Sequence, residues 1–318
     1  MPGRKIATPT ETFDEPWKQI VPALFEAFLT FFAPAMAEKI DWRHKPEFLD
    51  KELRRIAKGF GRRRRSTADF LVKVWLLDGE EKWLIIHIEL QAQKDTNFPE
   101  RMFLYNVRAF DLYRQPVIRM AILADGDPHW RPDRFGYGMG TSTTGHQYSV
   151  VKLLDYQDRQ QGLEGMANPF GLAVLAHLKT QETRDDAESR LQWKLRLARM
   201  LFDRRWNRAQ IEELFQFIDW IMTLPETLEN RFEADYKEME NRDTMAERMP
   251  PLYRRERVRG EISEAKSLLL RLGHKRLGPP DETVVARIDA IQKRQRLEEL
   301  FDRALDVETW AELFESDS

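Results

Sequence analysis

A chain of 318 residues with no cysteine cannot staple itself with disulfides, build thiolate metal sites or attack through sulfur, so any chemistry must rest on oxygen and nitrogen. Its 51 basic and 53 acidic side chains leave a formal charge of -2, so an anionic polymer could be held only by a local basic patch. The opening MPGRKIATPTETFDEP lacks the apolar core of a secretory leader, and no later stretch approaches the roughly 20 apolar residues of a membrane span. The expectation is a soluble, unprocessed, cytoplasmic protein with no membrane partner.

The first dozen residues read as a lead-in. From Pro16, residues Trp17, Ile20, Leu24, Phe25, Phe28 and Phe32 fall at helical spacing, with Pro22 loosening the first turns. At Asp69 the period changes. ADFLVKVW and EKWLIIHIELQ are rich in β-branched and aromatic residues, and the intervening Leu77-Asp78-Gly79-Glu80 signals a hairpin. The second of these strands is apolar on both faces until its end, which predicts a central place in a sheet. Asn97 is a candidate cap for a helix over 98–113, and PVIRMAILAD reads as another buried strand. The glycines at 136, 138, 140 and 145 lack the G-K-[ST] ending of a P-loop and read as a flexible loop, followed by a strand near 148–156.

Beyond Asn168 the strand signal ceases. NPFGLAVLAHLKT, ESRLQWKLRLARMLFD and RAQIEELFQFIDWIMTLP have helical periodicity and read as an appendage. The charged stretch 233–259, broken at Pro250-Pro251, is the linker candidate. The last segment reads as three short amphipathic helices divided by Gly278-Pro279-Pro280 and Asp306. The expected division is therefore a core over 1–165, a helical extension and linker over 166–255, and a small helical domain over 256–318.

Alternation along the second hairpin strand puts His87, Glu89 and Gln91 on one face, while Asp69, Lys73 and Trp75 share a face of the first. With a three-residue loop at 78–80, Asp69 stands opposite Glu89, where Cβ atoms are about 4.5–5.5 Å apart. Two carboxylates so close repel unless a cation lies between them, and a hard divalent ion takes oxygen ligands. On pattern alone a solvated sheet margin competes with this metal reading. Arg101 and Tyr105, one turn apart on the next helix, could supply a phosphate clamp and a hydroxyl. The run Arg54, Arg55, Lys58, Arg62, Arg63, Arg64 and Arg65 arrives just before Asp69 and could hold a nucleic-acid backbone by charge, a solvated loop being the other reading.

At these residues a resemblance becomes specific. ADFLVKVWLLDGEEKWLIIHIELQAQ followed by FPERMFLYNVRAFDLYRQPVIRMAILAD resembles the core of the recombination-promoting nuclease (Rpn) family, bacterial members of the PD-(D/E)XK superfamily associated with mobile elements. The likeness extends through DEPWK, FLDKEL, WRPDRFGY, VVKLLDY and DWIMTLP, and the end of the chain resembles a small domain of unknown function attached to such nucleases. The resemblance implies an α/β fold, a restriction-endonuclease-like mixed sheet flanked by helices, followed by an all-α C-terminal region. It implies DNA as partner and a divalent metal as cofactor, Mg2+ first, with Mn2+ or Ca2+ as substitutes. Carried over by motif, Asp69 and Glu89 become metal ligands and Gln91 takes the place of a catalytic lysine, with Arg101, Tyr105, His87 and Glu52 in support.

Gln91 departs from the wider pattern because an amide cannot supply a lysine's charge, although it can still bond a water or a phosphate oxygen. Lys73 is about four residues, roughly 13 Å, from Asp69 along the strand and is a poor substitute. His87-Ile88-Glu89 imitates the H-x-E of zinc deaminases, but the required P-C-x-x-C is absent. Asp125-Gly126-Asp127 reads as a turn, and Asp50 with Glu52 as exposed residues that could add a carboxylate. Two functions stay open: metal-dependent DNA hydrolysis, and a catalytically quiet nucleic-acid-binding or interaction protein on the same fold. The helical regions offer surfaces for a homodimer.

Overall fold

The computed structural model describes residues 14–49, 51, 70–77, 83–204, 206–242, 253–289, 291, 294–304 and 306–314. It divides into two compact units, 1–249 and 250–318. No helix among the described residues is long and apolar enough to cross a membrane.

The first unit opens with α1 (Asp14–Ala23), α2 (Phe25–Phe32) and α3 (Pro34–Ala37). The single helix expected from Pro16 onward is two, because Leu24 leaves helical geometry at φ -125° and ψ 38° just after Pro22. Phe28 and Phe32, both on α2 past this bend, meet the ring of Phe170 edge-on.

A mixed five-stranded sheet follows in the order β1-β2-β3-β4-β7, with β1 (Glu47–Phe48), β2 (Phe70–Trp75), β3 (Trp83–Gln91), β4 (Val117–Leu123) and β7 (Ser149–Lys152). β2 and β3 are antiparallel from Phe70 opposite Ile88 to Trp75 opposite Trp83, the register expected from a three-residue turn. β3 then pairs parallel with β4, and β4 parallel with β7. As its apolar faces require, β3 is central and buried from Leu84 to Leu90. The two-residue β1 gives too short a pattern to be seen in sequence.

Helix α4 (Phe98–Tyr113) joins β3 to β4 and covers one sheet face. Its Tyr105 and Ala109 pack with Leu71, Ile85 and Val117, and its Phe98 and Met102 with Ala121 and Leu123. Asn97 holds the cap position but its backbone is already helical (φ -89°, ψ -3°), so its side chain caps nothing; Asp95 Oδ1 accepts the Asn97 N–H instead, at 2.9 Å.

The segment expected as a glycine-rich flexible loop is a hairpin, β5 (Arg134–Met139) with β6 (Ser142–Gln147). Glycine is what lets the strands close: a Cβ at Gly138 would lie 2.9 Å from the Ser142 carbonyl oxygen, and Gly140 turns the chain at φ +60°. Phe135 of this hairpin packs on Phe103 of α4. The strand expected near 148–156 is shorter, since β7 passes at Leu153 into a 3-10 helix (Leu153–Arg159), followed by α5 (Gln160–Gly165).

α6 (Pro169–Glu182), α7 (Ala187–Phe202) and α8 (Arg208–Ile221) stand where periodicity placed helices, whereas α9 (Glu226–Arg242) runs into the stretch expected as a linker and buries Phe232 and Tyr236. They share the sheet's compact unit. α6 is buried from Pro169 to Thr180, which its weak amphipathicity already signals, and its His177 and Gln181 both reach the carbonyl of Ala124 just past β4.

The second unit contains four helices among its described residues where three short ones were expected: α10 (Tyr253–Leu277), α11 (Glu282–Asp289), α12 (Arg294–Arg303) and α13 (Trp310–Phe314). Gly273 does not break α10. A Cβ there would meet the Trp310 ring at 2.0 Å, so the glycine makes room for the tryptophan that closes a core of Leu269, Ile288, Leu297, Leu300 and Leu313. The expected break at 278–280 is present, with Gly278 at φ +89° and its carbonyl accepting the Trp310 indole N–H at 2.9 Å.

Candidate active site

The carboxyl ends of parallel strands are where open α/β sheets gather ligands, and Glu89 and Gln91 stand at that end of β3. Side chains two apart on a strand share a face, so His87, Glu89 and Gln91 all look toward α4. The first turn of α4 then brings Arg101 over them.

The guanidinium of Arg101 is the hub. It donates to Glu89 Oε2 at 3.1 Å and to Gln91 Oε1 at 2.8 Å, and it also pairs with Asp95. Burial works against its charge, but the Glu89 and Asp95 carboxylates outweigh burial and raise its pKa. With a side chain only 12% exposed and three protein acceptors, Arg101 fixes the two strand residues in place rather than standing free as a clamp. Gln91 is held at both ends, since its Nε2 donates to the Gln93 carbonyl at 2.6 Å.

Glu89 is 1% exposed and His87 fully buried, with His87 Nε2 at 3.3 Å from Glu89 Oε1. That contact lacks hydrogen-bond geometry. Glu89 Oε1, His87 Nδ1 and His87 Nε2 are buried without a hydrogen-bond partner among the described residues. Each such atom costs about 1–3 kcal/mol unless a ligand or water satisfies it. Tyr105, expected as a hydroxyl donor, is buried with its ring 5.2 Å from that of His87.

The polar set continues along the face under the β5–β6 hairpin. Arg119 is the Cα partner of His87 across β4, and its guanidinium donates to His146 Nδ1 at 3.0 Å. Burial first, then Arg119 and His87, push the His146 pKa down to about 4, so the ring is neutral. Burial raises the Tyr148 phenol, with Asp133 and Glu89 in the same direction and Arg101 opposing. Arg119 Nε, His146 Nε2 and the Tyr148 hydroxyl join the unpartnered buried atoms.

Sequence reasoning missed Asp95, Arg119, His146 and Tyr148. Only the parity of β4 with β3 could have found Arg119, and the expectation of a loop over 136–145 hid His146. Asp125 was also underrated. That residue does shape a turn, accepting the Asp127 N–H at 2.9 Å, but its other oxygen holds the buried ammonium of Lys152 at 2.6 Å. Lys73 is occupied elsewhere, 3.8 Å from Glu47 and over the rings of Trp75 and Trp83.

Asp69, Asp50, Glu52, Arg54, Arg55, Lys58 and Arg62, Arg63, Arg64 and Arg65 lie outside the described residues. Among the described ones no group of three or more histidines and carboxylates converges as a ready metal site. The Glu89 oxygen and one His87 ring nitrogen nevertheless fit a cation, because a carboxylate oxygen and an imidazole nitrogen are metal-ligating atoms and both are buried here without a hydrogen-bond partner among the described residues. Set against known proteins, the chain matches no family model, no curated protein and no solved structure.

Proposed function

We propose that the chain is a metal-dependent DNA endonuclease of the PD-(D/E)XK kind, similar to the Rpn nucleases. The observation that carries this reading is the buried Glu89 at the carboxyl end of the central strand, one oxygen fixed by Arg101 and the other without a hydrogen-bond partner among the described residues. In this reading Glu89 is one ligand of a divalent ion. Asp69, next in sequence to the Phe70 that pairs with Ile88, is the other. When bound, the ion lowers the pKa of a water and stabilises charge on the phosphodiester. Gln91 has an N–H beyond the one given to Gln93, with which it would orient that water or a phosphate oxygen. Arg101 is a positioning residue in this scheme: it sets the rotamers of Glu89 and Gln91 together. Arg62, Arg63, Arg64 and Arg65 would hold the DNA backbone by charge.

One observation favours a second reading. Glu89 is closed off from solvent and Gln91 is engaged by protein at both ends, which suits a nuclease fold retained for binding rather than cleavage. Purified protein titrated with Mg2+, Mn2+ and Ca2+ on supercoiled and linear DNA decides between them. The nuclease reading expects metal-dependent nicking that Glu89→Gln and Asp69→Asn each abolish. Absence of cleavage under all three ions, or cleavage unchanged in both variants, would leave the binding reading.

A further inference from the structure

His87 stands beside Glu89 in a way that the strand dictates. Both point to one face of β3, and both are more than nine-tenths buried. Their nearest atoms, Nε2 and Oε1, are 3.3 Å apart with no hydrogen bond between them and no other partner among the described residues. Two ligands at right angles on an octahedral divalent ion with bonds of about 2.1 Å are separated by about 3.0 Å. The observed gap lies within a small rotation of that value. The second carboxylate oxygen is already held by Arg101, the outer support that ligating carboxylates characteristically have.

We infer that His87 is a direct ligand of the divalent ion, sharing it with Glu89 through Nε2. This rests on the metal-dependent reading and deepens it by naming the class of ion. An imidazole nitrogen in the coordination sphere disfavours Mg2+ and Ca2+, which prefer oxygen, and favours later first-row ions such as Fe2+ and Zn2+, with Mn2+, the weakest binder of that series, serving as the paramagnetic probe. Glu89 and Asp95 face one cation in Arg101, while Arg119 donates to His146.

The test is Mn2+ binding to the full-length protein, followed by electron paramagnetic resonance, with electron spin-echo modulation reporting nitrogen bound to the ion. The inference expects nitrogen modulation in the wild type that changes to the 15N pattern in protein labelled with [15N]histidine. His87→Gln should abolish it and weaken Mn2+ binding about tenfold, with a smaller effect on Mg2+. His146→Gln, a nearby buried imidazole, should leave it intact. Failure of the wild type to bind Mn2+, bound Mn2+ without nitrogen modulation, or modulation surviving in His87→Gln overturns the assignment. The labelled wild type alone decides whether nitrogen is bound, even if the variants do not fold. Nitrogen-coupled Mn2+ without DNA cleavage would retain the site and remove the nuclease reading; Glu89-dependent cleavage with no nitrogen coupling would do the reverse.

Discussion

Two buried ion pairs flank β4, and they are built to opposite specifications. Lys152, at the end of β7, gives its ammonium to Asp125 Oδ2 at 2.6 Å and approaches the Trp130 carbonyl at 3.4 Å, while the other Asp125 oxygen accepts a backbone N–H. Lys152 is 1% exposed, and its pair is closed. On the other side, at the end of β3, Glu89 satisfies one oxygen with Arg101 and leaves the second beside His87, whose ring nitrogens have no hydrogen-bond partner among the described residues. A closed pair contributes specificity and resists change; an open one keeps a ligand's place at a cost in stability. The contrast separates a structural charge cluster from a candidate functional one without reference to any other protein.

The largest expected effect is at the closed pair. Asp125→Ala should lose about 3–5 kcal/mol in chemical denaturation, since it strands a buried ammonium. Asp125→Leu combined with Lys152→Met, which removes both charges, should recover most of that loss. A loss under about 1 kcal/mol in the single variant would show that the ammonium finds water and that the pair is not closed in solution.

Glu89→Gln should behave in the opposite way. The amide keeps an oxygen for Arg101, and Asp95 still balances that guanidinium, so stability should change by about 1 kcal/mol or less. Metal-dependent cleavage should fall at least about a hundredfold, equivalent to about 2.7 kcal/mol of barrier. If Glu89→Gln instead destabilises as much as Asp125→Ala, the Glu89 corner is structural and the comparison fails.

The parts of this contrast that sequence discloses are those set by local period. Alternation places His87, Glu89 and Gln91 on one face, continuous apolar character places β3 centrally, and the spacing of the two strand patterns predicts the β2–β3 register. What pairs with what across the sheet is not local. Arg119 meets the His87 face only because β4 pairs in parallel with β3 at that register, and Lys152 meets Asp125 across 27 residues. Gly136 and Gly138 carry a loop signal through their backbone freedom, whereas the hairpin uses them for the close approach of Thr144 and Ser142 carbonyls. Helical spacing puts Arg101 on the correct face of α4, but that carboxylates on both the strand and the preceding loop would claim it depends on Asp95, six residues upstream.

The pH response sharpens the contrast further. Burial holds both His146 and His177 down to about 4, against an ordinary value of 6.5, so the folded protein binds fewer protons than the unfolded chain between those limits. Their contribution is therefore fully present above about pH 6.5 and is lost as pH falls toward about 4. After allowing for solvent screening of His146, the loss should be on the order of 1–2 kcal/mol per histidine. Denaturation measured from pH 7 to 4 should show this slope, and His146→Gln should reduce it. A flat profile would mean that the hairpin over His146 opens readily and that this end of the polar face is wet.

The smallest effect isolates burial from bonding. Arg131 and Asp155 form a two-pronged pair at 2.8 and 2.5 Å, geometry as good as that of Lys152 and Asp125, but both side chains are about half exposed. Water already solvates each partner, so a double-mutant cycle of Arg131→Ala and Asp155→Ala should give a coupling of only about 0.2–1 kcal/mol, weakening in high salt. A coupling near that of the buried pair would mean that bidentate geometry, rather than exclusion of water, sets the strength of these contacts. The lack of a hydrogen bond at Glu89 Oε1 among the described residues would then be a matter of missing geometry alone, and its burial would cease to argue for a ligand.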